Sequence, residues 1–196
     1  MMDEKTQITF SNFCRQVRIR SRQHKAAIGL LCASNLYAPA ISTLRQELDS
    51  LIRLEYLLAE RDPVQQQQLI EFTVVGKQWT EAGKRSRITD RAMVEAASTK
   101  HSWSALVYEI GCSFVHLSNL HDYQNHKPAD LLPKTKLDEL IRYLTYYQGA
   151  LIDHQSTFKG LFFYVPHVFE KVSGNVEGRL LALETKMAND SQAKKI

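Results

Sequence analysis

The chain has 196 residues, 44% of them hydrophobic and 23% charged, a composition ordinary for a globular protein and long enough for one sizeable core. Only 8 glycines and 5 prolines leave little turn material for a sandwich or barrel, so long helices joined by a few loops are expected. The net charge of +4 is mild and would favour an anionic partner only where it is concentrated; three cysteines without regular spacing are not a disulfide framework.

Residues Met1 to Lys5 are acidic where a secretory signal would be basic, and no apolar stretch follows. Runs such as Leu161-Phe162-Phe163-Tyr164-Val165 fall far short of the roughly 20 residues needed to span a bilayer. The expectation is a cytoplasmic protein with no membrane contact, in which Cys14 and Cys112 serve as small buried hydrophobes. Residues 1–10 read as an N-terminal lead, 11–187 as one helical domain and 188–196 as a frayed polar tail.

In chain order, Ser11 is a candidate N-cap for a first helix to about Asn35, with Phe10, Phe13, Val17, His24, Ile28 and Leu31 at helical spacing. Pro39 suits the first turn of a second helix reaching about Glu60, with Ile41, Leu44, Leu48, Leu51, Ile52 and Leu58 toward the core. Asp62-Pro63 opens a third helix through Trp79, and its glutamine run, Gln65 to Gln68, is one polar turn. Gly83 to Arg87 reads as a basic loop, after which Thr89 caps a short helix to about Ala97. A fifth helix spans Ser102 to about His121 on a stripe of Trp103, Leu106, Val107, Ile110, Phe114 and Leu117. The stretch from Asp122 to Pro133 reads as an ordered loop. Thr135 then starts a sixth helix carrying Leu137, Leu140, Ile141, Leu144 and Leu151, and Pro166 a seventh to about Met187, with an interruption near Gly174 and Asn175. The predicted fold is all-α: a single-domain helical bundle of six to seven helices.

Three features carry chemistry. Arg15, Arg18, Arg22 and Lys25 stack on one side of the first helix, and no acidic residue occurs from Phe13 to Gln46. Such a row contacts the phosphates of a nucleic acid or an acidic protein surface, or it is a solvated face paired with acids of a neighbouring helix. The end of the fifth helix gathers Ser113, His116, His121 and His126. His116 and His121 lie about 140° apart on a continuous helix, so they share no metal unless the helix ends between them; proton transfer suits them better. Finally, Arg45, Asp49 and Arg53 form an i, i+4 ladder on the second helix. Exposed it means little; half-buried and facing His116, Arg45 and Asp49 would make a polar cluster with Ser113, His116 and His121 as candidate catalytic groups. Neither a metal nor a cofactor is indicated: there is no phosphate-binding glycine loop, nucleophile elbow or dinucleotide signature.

The segments Leu44-Arg45-Gln46-Glu47-Leu48 through Leu58, Ser113-Phe114-Val115-His116-Leu117-Ser118 and Asn119-Leu120-His121-Asp122-Tyr123 resemble uncharacterised bacterial all-helical proteins of the HEPN superfamily (higher eukaryote and prokaryote nucleotide-binding) over about residues 36–190. The resemblance implies a helical bundle that forms a homodimer, a setting in phage defence or toxin–antitoxin systems, and in some members a metal-independent ribonuclease. Those enzymes carry an Arg followed four to six residues later by His. Arg18 and His24 match that spacing, although on one continuous helix they point roughly 120° apart. Three readings follow: a nucleic-acid- or nucleotide-associated protein that takes RNA, a non-catalytic module docking an acidic protein through the first helix, and a small-substrate enzyme using Arg45, Asp49 and His116.

Overall fold

The computed structural model describes residues 4–81, 83, 84 and 86–193, with side chains as far as residue 189. The fold is all-helical, with 76% of residues in helices. Among the described residues seven helices have nine residues or more: α1 (Glu4–Ala33), α2 (Tyr37–Ala59), α3 (Pro63–Val74), α4 (Asp90–Ser98), α5 (Ser104–Val115), α7 (Lys134–Gln148) and α9 (Val165–Ala193). Two short helices, α6 (Pro128–Leu131) and α8 (Phe158–Phe162), and a 3-10 turn (Asn119–Asp122) complete the connections. No helix among the described residues is long and apolar enough to cross a membrane.

The hub is α2, which packs on α1, α4, α5 and α9. Leu48, Leu51, Ile52, Leu54 and Leu57 are fully buried on it, and together these point around most of the helix circumference, as a central helix requires. Arg45, Glu47 and Glu55 are buried on it too, and each reaches a different neighbour. The Glu47 carboxylate accepts from Ser21 Oγ (2.6 Å) and pairs with His24 Nδ1 (2.7 Å) of α1. Arg45 donates to Asp90 of α4 (3.2 Å) and lies 3.9 Å over the Tyr108 ring of α5. Glu55 meets His101 Nε2 (2.7 Å) in the α4–α5 link and Arg179 Nε (2.8 Å) of α9. Because a buried charge is costly unless paired, these contacts select one rotation of each outer helix against α2.

Helix ends depart from the sequence expectations where backbone geometry intervenes. The helix α1 already runs from Glu4, so Ser11 lies within it and caps nothing. At its other end Asn35 adopts φ 56°, and the Leu36 amide bonds back to Leu31 O at 2.8 Å, an Asn-terminated Schellman closure. The third helix stops at Val74, not Trp79: Gly76 turns left-handed and Lys77 N returns to Phe72 O at 2.7 Å. Gly149 ends α7 the same way, which throws Leu151 off the core stripe and leaves it 99% exposed. Residues 128–131, inside the stretch expected as an ordered loop, form α6, and residues 158–162, which no expected helix covered, form α8. The expected break at Gly174 and Asn175 is absent, because Asn175 donates to Lys171 O (2.7 Å) along a helix that continues to Ala193, well past Met187. The Asp62, Pro63 and Thr89 start signals stand as expected. Of the expected basic loop from Gly83 to Arg87, Arg85 lies outside the described residues; Arg87 forms a single antiparallel bridge with Thr80.

Candidate functional site

The basic row of α1 is sorted by α9. The two helices run antiparallel, and α9 places Glu170, Glu177 and Glu184 at intervals of seven residues facing Lys25 and Arg18. Arg18 forks to both Glu177 and Glu184 with a closest approach of 2.8 Å to each, and all three guanidinium nitrogens donate. Lys25 pairs with Glu170 at 3.0 Å. Arg15 and Arg22 also lie seven residues apart, on a line rotated about 60° from that of Arg18 and Lys25. They reach no carboxylate among the described residues: Arg15 donates only to Asn12 on its own helix, at 3.3 Å, and both arginines are exposed.

This sorting creates a groove of about 660 Å³ between α1 and α9. Phe10 and Cys14 line it with apolar surface, Arg15 and Arg22 stand on it as open cations, and the Arg18 clamp crosses it. Burial, then the adjacent Glu184, pushes the Cys14 thiol up to about 12, so it is a packed neutral group and no nucleophile. Hydrogen bonds from Arg18 hold Glu184 below the usual carboxylate range. The same contacts, Glu184 first, raise the Arg18 guanidinium above its own.

The candidate catalytic residues are not joined in one hydrogen-bonded cluster among the described residues. Arg45 and Asp49 are largely buried on α2, but no hydrogen bond or ion pair among the described residues joins either to Ser113, His116 or His121. Arg45 turns to Asp90 and Tyr108. Asp49 accepts from Arg53 (3.0 Å) and Arg20 (3.3 Å); burial alone would raise its pKa, and Arg53, Arg20 and Arg45 outweigh that and lower it. The reason lies in where α5 ends. It stops at Val115, so His116 is its extended C-cap and is exposed, as is Leu117, at 94%, in place of the expected core position. Ser113 Oγ is spent on Glu109 O of its own helix (3.2 Å). Ser118 caps the 3-10 turn, and His121 closes that cap with Nδ1 3.3 Å from the Ser118 amide, its ring 5.8 Å from Phe114. Among the described residues no group of three or more His, Cys, Asp or Glu is placed to hold a metal ion. His24 is bound to Glu47, Arg18 to the α9 glutamates and Arg20, which also stands at ribonuclease spacing from His24, to Asp49, so both arginines are engaged away from the histidine's own partner.

Two buried carboxylates, Glu47 and Glu55, were not among the expected site residues. Their signal is present: both fall among the leucines of α2, at positions i+3 from Leu44 and i+4 from Leu51, where a charged side chain needs a partner. No protein-family model matches this chain, and no curated protein or solved structure matches it either.

Proposed function

We propose that the chain is a non-catalytic interaction protein whose α1/α9 groove receives an acidic amphipathic helix of a partner protein. The observation that carries this reading is the pair of open arginines, Arg15 and Arg22, set two helical turns apart beside the apolar Phe10 and Cys14. Seven residues of helix rise about 10 Å, the spacing at which a partner helix presents carboxylates at i and i+7 with an apolar side chain between them. A protein is favoured over RNA because Glu177 and Glu184 line the same groove, where they would repel a run of phosphates while leaving room for alternating charge. The ribonuclease activity implied by the HEPN resemblance is not part of this reading, since Arg18 and His24 already serve as helix-to-helix ties.

The probe is a labelled synthetic helix with Glu at i and i+7 and Leu at i+3 and i+4, read by fluorescence anisotropy. Binding should weaken with added salt and fall about 5- to 30-fold in Arg15→Ala/Arg22→Ala, as expected for two half-desolvated charge pairs worth up to about 1 kcal/mol each. Self-association lost in the same variant would identify a second copy as the source of the helix. Equal binding of a Lys-for-Glu peptide would overturn the proposal. A low-salt RNA gel shift abolished by the same two substitutions, with no peptide binding, would overturn it in favour of a nucleic acid.

A further inference from the structure

The other end of the bundle carries two features that fold stability does not require. One is a cavity of about 70 Å³ enclosed by α2, α5, α7, α8 and α9, with walls that include Leu106, Val107, Leu144, Phe158 and Val168. Its lining is apolar, so water gains little there, and the wall atoms lack van der Waals partners on one side. At about half the size of an apolar cavity that admits benzene, it suits the end of a hydrocarbon chain better than a whole ligand. The other feature is an exposed apolar surface: Leu151 is 99% and Phe163 65% exposed, and they share a surface groove with Ile152.

The two are joined at α8. One side of this five-residue helix, Phe158 and Leu161, faces the cavity; the other, Lys159 and Gly160, lines the groove. Tyr164, half-buried just beyond the helix, borders both. Lys159 is exposed and forms no ion pair among the described residues, so the groove has one open cation beside its apolar floor. A ligand complementary to this arrangement has an anionic head and a single flexible chain.

We propose that this end of the bundle binds a fatty-acid-class amphiphile, with its carboxylate at Lys159, its chain over Leu151 and Phe163, and its last carbons in the cavity past Tyr164. The site is separate from the α1/α9 groove and shares no residue with it.

The test titrates dodecanoate, below its micellar concentration, into the full chain by calorimetry. Saturable one-to-one binding is expected, weakened at least tenfold by Lys159→Glu. Val107→Met extends a side chain into the cavity; it should weaken binding at least fivefold while leaving the melting temperature equal or higher. In the wild-type protein, NOEs should connect the terminal methyl of dodecanoate to the methyls of Val107 and Leu144, a readout independent of how either variant folds. Absence of saturable binding, absence of those NOEs, or equal binding of dodecyltrimethylammonium would each overturn the proposal, the last by showing adsorption of any surfactant.

Discussion

Replacing Glu55 by glutamine keeps the shape of the side chain and removes its charge from the point where Arg179, Lys100 and the His101 ring converge. Glu55 is 3% exposed; His101 lies 2.7 Å away, Arg179 2.8 Å and Lys100 3.7 Å. Breaking a buried ion pair by removing one partner costs about 3–5 kcal/mol, because the remaining charge is left uncompensated. Arg179 is one-third exposed and Lys100 more than half exposed, so both can turn to water, and only His101 stays enclosed. The expected loss is therefore at the low end, about 3 kcal/mol, or a fall in melting temperature of roughly 6–12 °C for a chain of this size. Urea denaturation should show the midpoint falling with little change in slope. A double-mutant cycle with His101→Asn should return a coupling of at least about 1 kcal/mol. A loss below about 1 kcal/mol, or additive single effects, would refute the claim that this cluster fixes α9 and the α4–α5 link against α2.

Acid should unfold the protein through the same groups. Burial would raise Glu55, but His101, Arg179 and Lys100 outweigh it, and Glu55, Asp49 and Glu184 all sit below their ordinary values of 4.5, 3.8 and 4.5. A folded pKa below the unfolded one means stability that is complete above the unfolded value and lost as pH falls through the folded one, so denaturant midpoints should hold down to about pH 5 and then drop, less steeply in Glu55→Gln. Gly111→Ala would set a Cβ 2.7 Å from Arg45 Cβ, an atom too near its backbone to swing aside; the expected cost is about 1–3 kcal/mol by thermal melting, and an unchanged melt would show that α2 and α5 separate freely. Cys14, buried and raised to about 12, should resist iodoacetamide at pH 8 while Cys112, which is partly exposed where burial was expected, reacts, as read by peptide mass spectrometry; rapid native labelling of Cys14 would contradict the packing of α1 on α9.

The all-α class and most helix starts were legible because they rest on local rules: the Asp62-Pro63 and Thr89 caps act within a few residues of themselves. Helix ends were harder to read. Gly76 and Gly149 stop their helices by turning left-handed, while Gly174 and Gly178 lie inside α9 with ordinary helical backbone; the same residue type does both, and tertiary packing decides which. The candidate catalytic residues lack a bond between α2 and the end of α5 for a related reason. Placing His116 beside Arg45 assumed that α5 continued to His121, but Ser118 offers the backbone a competing cap through the Leu120 amide, and the helix ends at Val115, six residues short of His121. The partners of α2 could not be read locally at all, since Glu47 with His24 and Glu55 with Arg179 are contacts between distant segments.

The heptad spacing of α1 connects its core to its surface. Phe10, Cys14, Val17, Ser21, His24, Ile28 and Leu31 alternate steps of four and three, the seam of an antiparallel helix pair, and two of the seven are polar because they meet Glu47 rather than an apolar neighbour. Once that seam faces inward, the positions of the cations are no longer independent. Arg18 and Lys25 fall on the edge that α9 covers, and the glutamates of α9 at intervals of seven meet them there. Arg15 and Arg22 are rotated beyond the reach of those glutamates. A fold that needed only solubility from this face could place its charges at any exposed position. Here the inner pair is matched by acids and the outer pair is left open beside a groove, so the surface that could recognise an acidic partner follows directly from the register that holds α1 to α9.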